Sequence, residues 1–312
     1  MSKKATQWLS RFRIDITSNS NRVYANGRQQ LAVTVSLAPR DGETITDEQL
    51  NSICLFEIND DGQYCQLDNW LVAHTERDQR FNYYGATGGA PQGLIDSNSQ
   101  TRRRTFYISS TCPGGTLRTV YAGVLQDPDT PFFTDTAPFK SSIVVESVAP
   151  PPAHRSIFSL SMEPKENYKK KVMGSYYADE IEEQIGFFGC ASPAQRIVAG
   201  VAHGAPSGAP FYSRDGWDNV FSLELTNDYS MQTMVTCYQP DHYLDKEGFT
   251  PRAHHLTLHL YHRRFYRRHR NDMKVEPSKW SVIDQNGNAY CVDFLATKRG
   301  RSLDFRISES DL

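Results

Sequence analysis

A tight turn followed by a strictly alternating stretch sets the strongest constraint on this chain. Asn26-Gly27 accepts the positive φ angles of a tight turn. After Arg28, Gln29 and Gln30, the residues Leu31, Val33, Val35 and Leu37 alternate with Ala32, Thr34 and Ser36. A period of two puts the large apolar residues on one face of an extended chain, the pattern of a half-buried β-strand. A helix would need an apolar stripe repeating about every 3.6 residues, which this stretch lacks.

The chain has 312 residues and a formal net charge of −2. That length suits two domains better than one sandwich. The dividing point is Ala149-Pro150-Pro151-Pro152-Ala153, where three consecutive prolines exclude helix and disfavour a sheet interior. The expected organisation is a mainly β protein: an immunoglobulin-like β-sandwich over 1–148, a Pro-rich linker over 149–155 and a second β-rich, sandwich-like domain over 156–312.

Seven strands are expected in the first domain. Phe12, Ile14 and Ile16 alternate, and Leu31 to Leu37 follows; the rest are Ile53 to Ile58, Tyr64 to Leu71, Thr105 to Ile108, Leu117 to Val124 and Ile143 to Val148. Asn59 to Gly62 and Cys112 to Gly115 read as hairpin turns, and Thr46 to Asn51 as a single helical turn. Gly85 to Gly93 reads as a loop. In the second domain, strands are expected at Ile157 to Met162, Phe221 to Leu225, Met231 to Tyr238, Leu256 to Leu260, Trp280 to Ile283, Tyr290 to Leu295 and Leu303 to Ile307. A short helical insertion is expected at Tyr177 to Ile185, because Ile181 and Ile185 stand one helical turn apart and Gly186 can cap the end. Ile58 to Cys65 echoes Ile283 to Cys291, each holding a Gly followed by Tyr and Cys, and both read as recurring hairpin chemistry.

The segment Arg22-Val23-Tyr24-Ala25-Asn26-Gly27, with the alternating strand behind it, resembles the opening of bacterial immunoglobulin-like domains of the invasin and intimin type. The resemblance covers the first half only and implies a β-sandwich there. Members of those adhesin families follow a secretion signal and occur in tandem arrays. Here Met1 to Trp8 is not followed by the apolar core of a signal peptide, and the second half carries no clear copy of the motif. The resemblance therefore implies a sandwich and not adhesion to a host cell. Synthesis in the cytoplasm is expected, with any export by a route that needs no cleaved signal.

Motifs that would name a reaction are missing from the sequence. Cys54, Cys65, Cys112, Cys190, Cys237 and Cys291 include no pair with the spacing of a zinc knuckle or redox motif, so six reduced thiols are expected. There is no phosphate-binding glycine loop and no dinucleotide fingerprint. Asp284 to Asn288 lacks the acidic residue that closes a calcium loop and reads as a hairpin. Gly204 to Gly208 misplaces its serine for a nucleophile elbow. No cofactor or metal is expected, and the protein reads as a non-enzyme. An enzymatic alternative would need a site assembled from scattered residues, such as His203, Ser207 and an aspartate.

Two neighbouring features stand out against that background. His254, His255, His259 and His262 punctuate a stretch in which Leu256, Leu258 and Leu260 alternate. On a strand, His255 and His259 share a face but lie about 13 Å apart at ~3.3 Å per residue, too far to share one zinc ion. A helix would bring them together, but the leucine alternation argues against it. Directly after come Arg263, Arg264, Phe265, Tyr266, Arg267, Arg268 and Arg270. Paired arginines around two aromatic rings can dock a protein, or hold phosphates and anionic headgroups. Together with His255 and His259 they form the candidate partner-binding surface. Arg102 to Arg104 is a shorter run, expected to be solvated.

The function expected is protein-protein interaction, as a structural or adaptor part of a bacterial or phage delivery or surface assembly. The alternative is a toxin or effector whose second domain meets membrane or nucleic acid through the basic arm. No small-molecule substrate is evident.

Overall fold

The structure is a computed structural model that describes residues 5–68, 70–85, 100–164, 180–203, 212–214, 217–223, 252–264, 278–297 and 302–308. By contacts the chain divides into two compact units: Met1–Pro151 with Asn286–Asn288, and Pro152–Gln285 with Ala289–Leu312. The protein is mainly β, and each unit holds two sheets around its own core.

In the first unit a four-stranded sheet has the order β1-β3-β7-β6, formed by β1 (Leu9–Ile16), β3 (Leu31–Pro39), β7 (Arg102–Ser110) and β6 (Leu71–His74). The second sheet has the order β2-β10-β8-β4-β5: β2 (Arg22–Tyr24), β10 (Ile143–Val148), β8 (Leu117–Asp127), β4 (Cys54–Ile58) and β5 (Tyr64–Gln66). A further strand, β9 (Thr130–Phe133), pairs with β8 and has no counterpart in the sequence reading. Val33, Val35 and Leu37 of β3 meet Val120, Ala122, Val124 and Val145 of the opposite sheet, all buried. Each of the valines and Leu37 contributes about 1.5–3 kcal/mol by leaving water.

Strand β3 is covered on both faces, not half-buried. Its polar side is satisfied locally: the Thr34 hydroxyl lies 3.0 Å from those of both Thr17 and Thr105. The Asn26-Gly27 turn forms, with Gly27 at φ +67. The Asn26 side chain accepts the amides of Arg28 and Gln29, both at 2.9 Å. The turn carries the chain between sheets, since β2 pairs in parallel with β10. Gln29 is fully buried and bridges the Tyr24 amide to the Asn82 carbonyl.

Two further expectations in this unit are corrected. The turn at Cys112 to Gly115 does not close a hairpin, because β7 and β8 belong to different sheets. Cys112 is buried in the core, and the Gly115 amide donates to Ser147 at 2.7 Å, which pins the turn to the end of β10. Tyr64 to Leu71 is not one strand either. The Asp68 carboxylate accepts the Trp70 and Leu71 amides at 2.8 and 3.3 Å, turning the chain from β5 in one sheet to β6 in the other. Asn59 to Gly62 does close the β4–β5 hairpin, with Gly62 at φ +75.

Helix α1 (Ala5–Trp8) leads into β1, and α2 (Asp47–Asn51) starts at Thr46. The Thr46 hydroxyl accepts the Gln49 amide while the Gln49 side chain accepts the Thr46 amide, a reciprocal capping box. The Arg102 to Arg104 run is not simply solvated. Arg102 pairs with Asp47 at 2.5 Å, and Arg104 donates to the carbonyls of Leu50, Asn51 and Ile53. Those carbonyls sit at the C-terminal end of α2, where a helix leaves acceptors unpaired.

In the second unit, η1 (Arg155–Ile157) precedes a five-stranded sheet of order β11-β12-β16-β15-β14. Its strands are β11 (Phe158–Pro164), β12 (Glu180–Cys190), β16 (Leu256–Arg264), β15 (Trp217–Leu223) and β14 (Tyr212–Arg214). The other sheet has the order β13-β17-β18-β19, from β13 (Ile197–His203), β17 (Ser278–Asp284), β18 (Ala289–Thr297) and β19 (Ser302–Ser308). The rings of Phe158, Phe294 and Phe305 lie 5.1, 5.2 and 5.0 Å from that of Phe188, which is fully buried. The expected helix at Tyr177 to Ile185 is overturned: Glu180–Cys190 is an interior strand, paired with β11 on one side and β16 on the other. A spacing of four fits both periods, so Ile181 and Ile185 satisfy a strand as well as a helix, and pairing on both edges decides. Tyr177 to Asp179 and the expected strand at Met231 to Tyr238 lie outside the described residues. Asp284 to Asn288 closes the β17–β18 hairpin with Gly287 at φ +81, the same device as at Gly62.

Candidate functional site

Strand β16 carries the start of the expected partner-binding surface. It is an interior strand, flanked by β12 and β15. In register, Arg264 stands between Glu180 and Trp217, and Arg263 between Ile181 and Asp218. His259 stands between Ile185 and Ser222. Each arginine of the first pair therefore has an acidic residue at a directly opposed or neighbouring strand position. Phe265, Tyr266, Arg267, Arg268 and Arg270 lie outside the described residues.

His255 is not part of the strand, so it does not share a strand face with His259. The backbone turns at His254, which has φ +63, and the His255 amide closes that turn on the Arg252 carbonyl at 3.2 Å. The His255 ring bonds the Ala253 carbonyl through Nδ1 at 2.7 Å. It rests on Gly189 of β12, where a Cβ would come within 2.5 Å of the ring. A glycine inside a strand here makes room for an imidazole, a packing role the sequence pattern does not reveal.

A groove in the second unit was not anticipated from the sequence. It lies between β11 and β19, the end strands of their two sheets, and encloses about 630 Å³. Its lining includes Phe158, Leu160, Met162 and Phe305, with Arg155 and Asp304 at one end. The alternation Phe158-Ser159-Leu160-Ser161-Met162 explains the floor. Phe158 is buried, Leu160 and Met162 pack half-buried against the core, Ser159 is exposed and also lines the groove, and Ser161 and Glu163 are exposed.

An ion pair closes one end of the groove. Arg155 donates to Asp304 at 2.5 Å and to the Phe305 carbonyl, and its guanidinium lies 4.3 Å over the Phe305 ring. The Arg155 hydrogen bond holds the Asp304 carboxyl below its ordinary range, helped by the Phe305 amide. On the outer face of β11, away from the groove, Arg252 pairs with Glu163 and lies 4.0 Å over the Phe187 ring. The groove thus offers an apolar floor with one neutralised ion pair, Arg155–Asp304, at its end.

No three His, Cys, Asp or Glu side chains among the described residues are grouped to hold a metal ion. Burial, with Asp284 nearby, pushes the Cys190 thiol up to about 11, so it carries almost no thiolate at neutral pH. Cys54, Cys65, Cys112, Cys190 and Cys291 are free thiols, and Cys237 lies outside the described residues. His203 ends β13 opposite Lys279, whereas Ser207 is outside the described residues.

No protein-family model matches the chain, and no curated protein matches it. Among solved structures, the chain overlays on the adhesin InvE of Yersinia pseudotuberculosis with a TM-score of 0.21 and 11% identity. The overlay covers 93% of this chain and 60% of that one. An overlay this loose assigns neither a fold nor a role.

Proposed function

We propose that the chain is a non-catalytic protein-binding or adaptor protein, with the groove between β11 and β19 as its docking site. One observation supports this reading most: an apolar floor between two sheet edges, with the Arg155–Asp304 pair at one end. Such a site buries apolar side chains and leaves a polar rim, as protein interfaces do. A structural or adaptor place in a bacterial or phage delivery or surface assembly fits that chemistry.

The second reading is binding of anionic membrane or nucleic acid through Arg263 to Arg270. The opposed positions of Glu180 and Asp218 favour the first reading, because acidic neighbours offset a cationic patch. The two separate by capture with cross-linking from native lysate. The wild type should cross-link to protein through residues around Phe158–Pro164, and capture should persist when Arg263, Arg264, Arg267 and Arg268 are changed to Ser. Tight binding to anionic vesicles, DNA or RNA that collapses with salt and with those four changes would replace the first reading by the second.

A further inference from the structure

The groove in the second unit lies between two end strands. Among the described residues, β11 pairs only with β12 and β19 only with β18, so each presents one edge to the groove. A strand edge carries a row of N–H and C=O groups that another extended chain can pair with. We propose that this groove binds an extended, uncharged segment of a partner protein, which adds a strand along β11 and seats alternate apolar side chains on Leu160 and Met162. The proposal rests on the protein-binding reading above.

Three observations select that occupant. The floor is periodic: Phe158, Leu160 and Met162 recur every second residue, the spacing at which an extended peptide presents side chains to one face. The charged lining is neutral as a pair: Arg155 is taken by Asp304, so a charge directed at the floor would find no free partner in the lining. Charge complementarity therefore calls for an uncharged inward face. The far end of β11 is blunted by Glu163 and by Pro164, which has no N–H to give, so pairing is confined to Phe158 through Met162. An acyl chain would suit the apolar floor but leave the strand edges unpaired.

The first unit shows how this chain covers an edge when it does so itself. Strand β1 ends its sheet, and the segment Pro138 to Ile143 runs beside it. The Ser141 hydroxyl accepts the Ile14 amide at 3.1 Å and donates to the Ile14 carbonyl at 3.3 Å, taking the place of a neighbouring strand. Phe139 packs edge-on against Phe12, with ring centres 5.6 Å apart. No described segment does this for β11.

The test uses the full chain and capped seven-residue peptides, the length of β11, alternating Val or Leu with Thr. A matched set carries N-methyl groups on alternate amides, which removes donors while keeping the side chains. Binding is expected at about 100 µM or tighter, with slowed amide exchange in β11 and β19. N-methylation or Leu160→Glu should weaken it at least about tenfold, while raising salt from about 0.05 to 0.5 M should change it less than about twofold. Equal binding of N-methylated peptides, or no binding by any alternating peptide, overturns strand addition. Protein cross-links at the groove would then still stand for the broader reading, which fails separately if the full chain cross-links to no protein there. Fatty-acid binding without peptide binding, or a concentration-dependent dimer protecting the same amides, also overturns the proposal.

Discussion

The two units solve the same packing problem with different materials. The first fills its core with aliphatic residues from a strand covered on both faces, and draws its own Pro138 to Ile143 segment along the edge strand β1. The second builds its core from rings gathered around Phe188 and leaves a groove of about 630 Å³ between β11 and β19. A groove of about 660 Å³ runs beside β1 as well, but there the Ser141 hydroxyl occupies the backbone groups of Ile14. The difference teaches that a sandwich edge stays closed only when some chain spends backbone or hydroxyl groups on it. Among the described residues nothing does so for β11, the edge on which the proposed strand addition rests.

The contrast between cores gives the largest expected effect. Phe188→Ala removes a fully buried ring from contact with three others and should cost about 3–5 kcal/mol. In scanning calorimetry one of two transitions should move down, while Leu37→Ala should move the other by a cost of about 2–5 kcal/mol. A single transition shifted alike by both changes would break the division into two folding units.

Next comes the clamp on α2. Arg104→Ala leaves three carbonyls without their guanidinium and should cost about 1–3 kcal/mol in the first unit. Amide exchange across Asp47–Asn51 should quicken. Unchanged exchange would mean that the capping box at Thr46 holds the helix alone.

A smaller effect tests edge closure directly. Ser141→Ala should cost about 1 kcal/mol and speed exchange of the Ile14 amide. If that amide is unaffected, the edge is closed by packing of Phe139 and not by the hydroxyl. The comparison with β11 would then lose its basis.

The smallest effect concerns acid. Asp304 is held below its ordinary value of 3.8, first by the Arg155 hydrogen bond. A carboxyl depressed in the fold contributes stability above its unfolded value and loses it as pH falls through the folded value. The pair is half-exposed, so screening limits it to a few tenths of a kcal/mol. Urea midpoints of wild type and Asp304→Asn should differ slightly at about pH 6 and converge near pH 2. A gap that persists in acid would show that Asp304 acts through its shape and not its charge.

The sequence by itself determined the features that depend on neighbours along the chain. The alternation from Leu31 to Leu37, the glycine turns at Gly62 and Gly287 and the Thr46 cap are set by side-chain period, by φ and by a bond spanning three residues. Only the tertiary structure decided which strands pair. Glu180–Cys190 became a strand because β11 and β16 claimed both its edges. Cys112 to Gly115 crossed between sheets because Ser147 held it there. The start of the basic stretch was legible, but not the acidic residues that the register sets beside it. The groove was not legible at all, since Phe158 to Met162 reads the same in an interior strand as in an end strand. What sets the groove apart is the end position of β11 and β19 among the described strands, a property of the assembled sheets and not of any local stretch of residues.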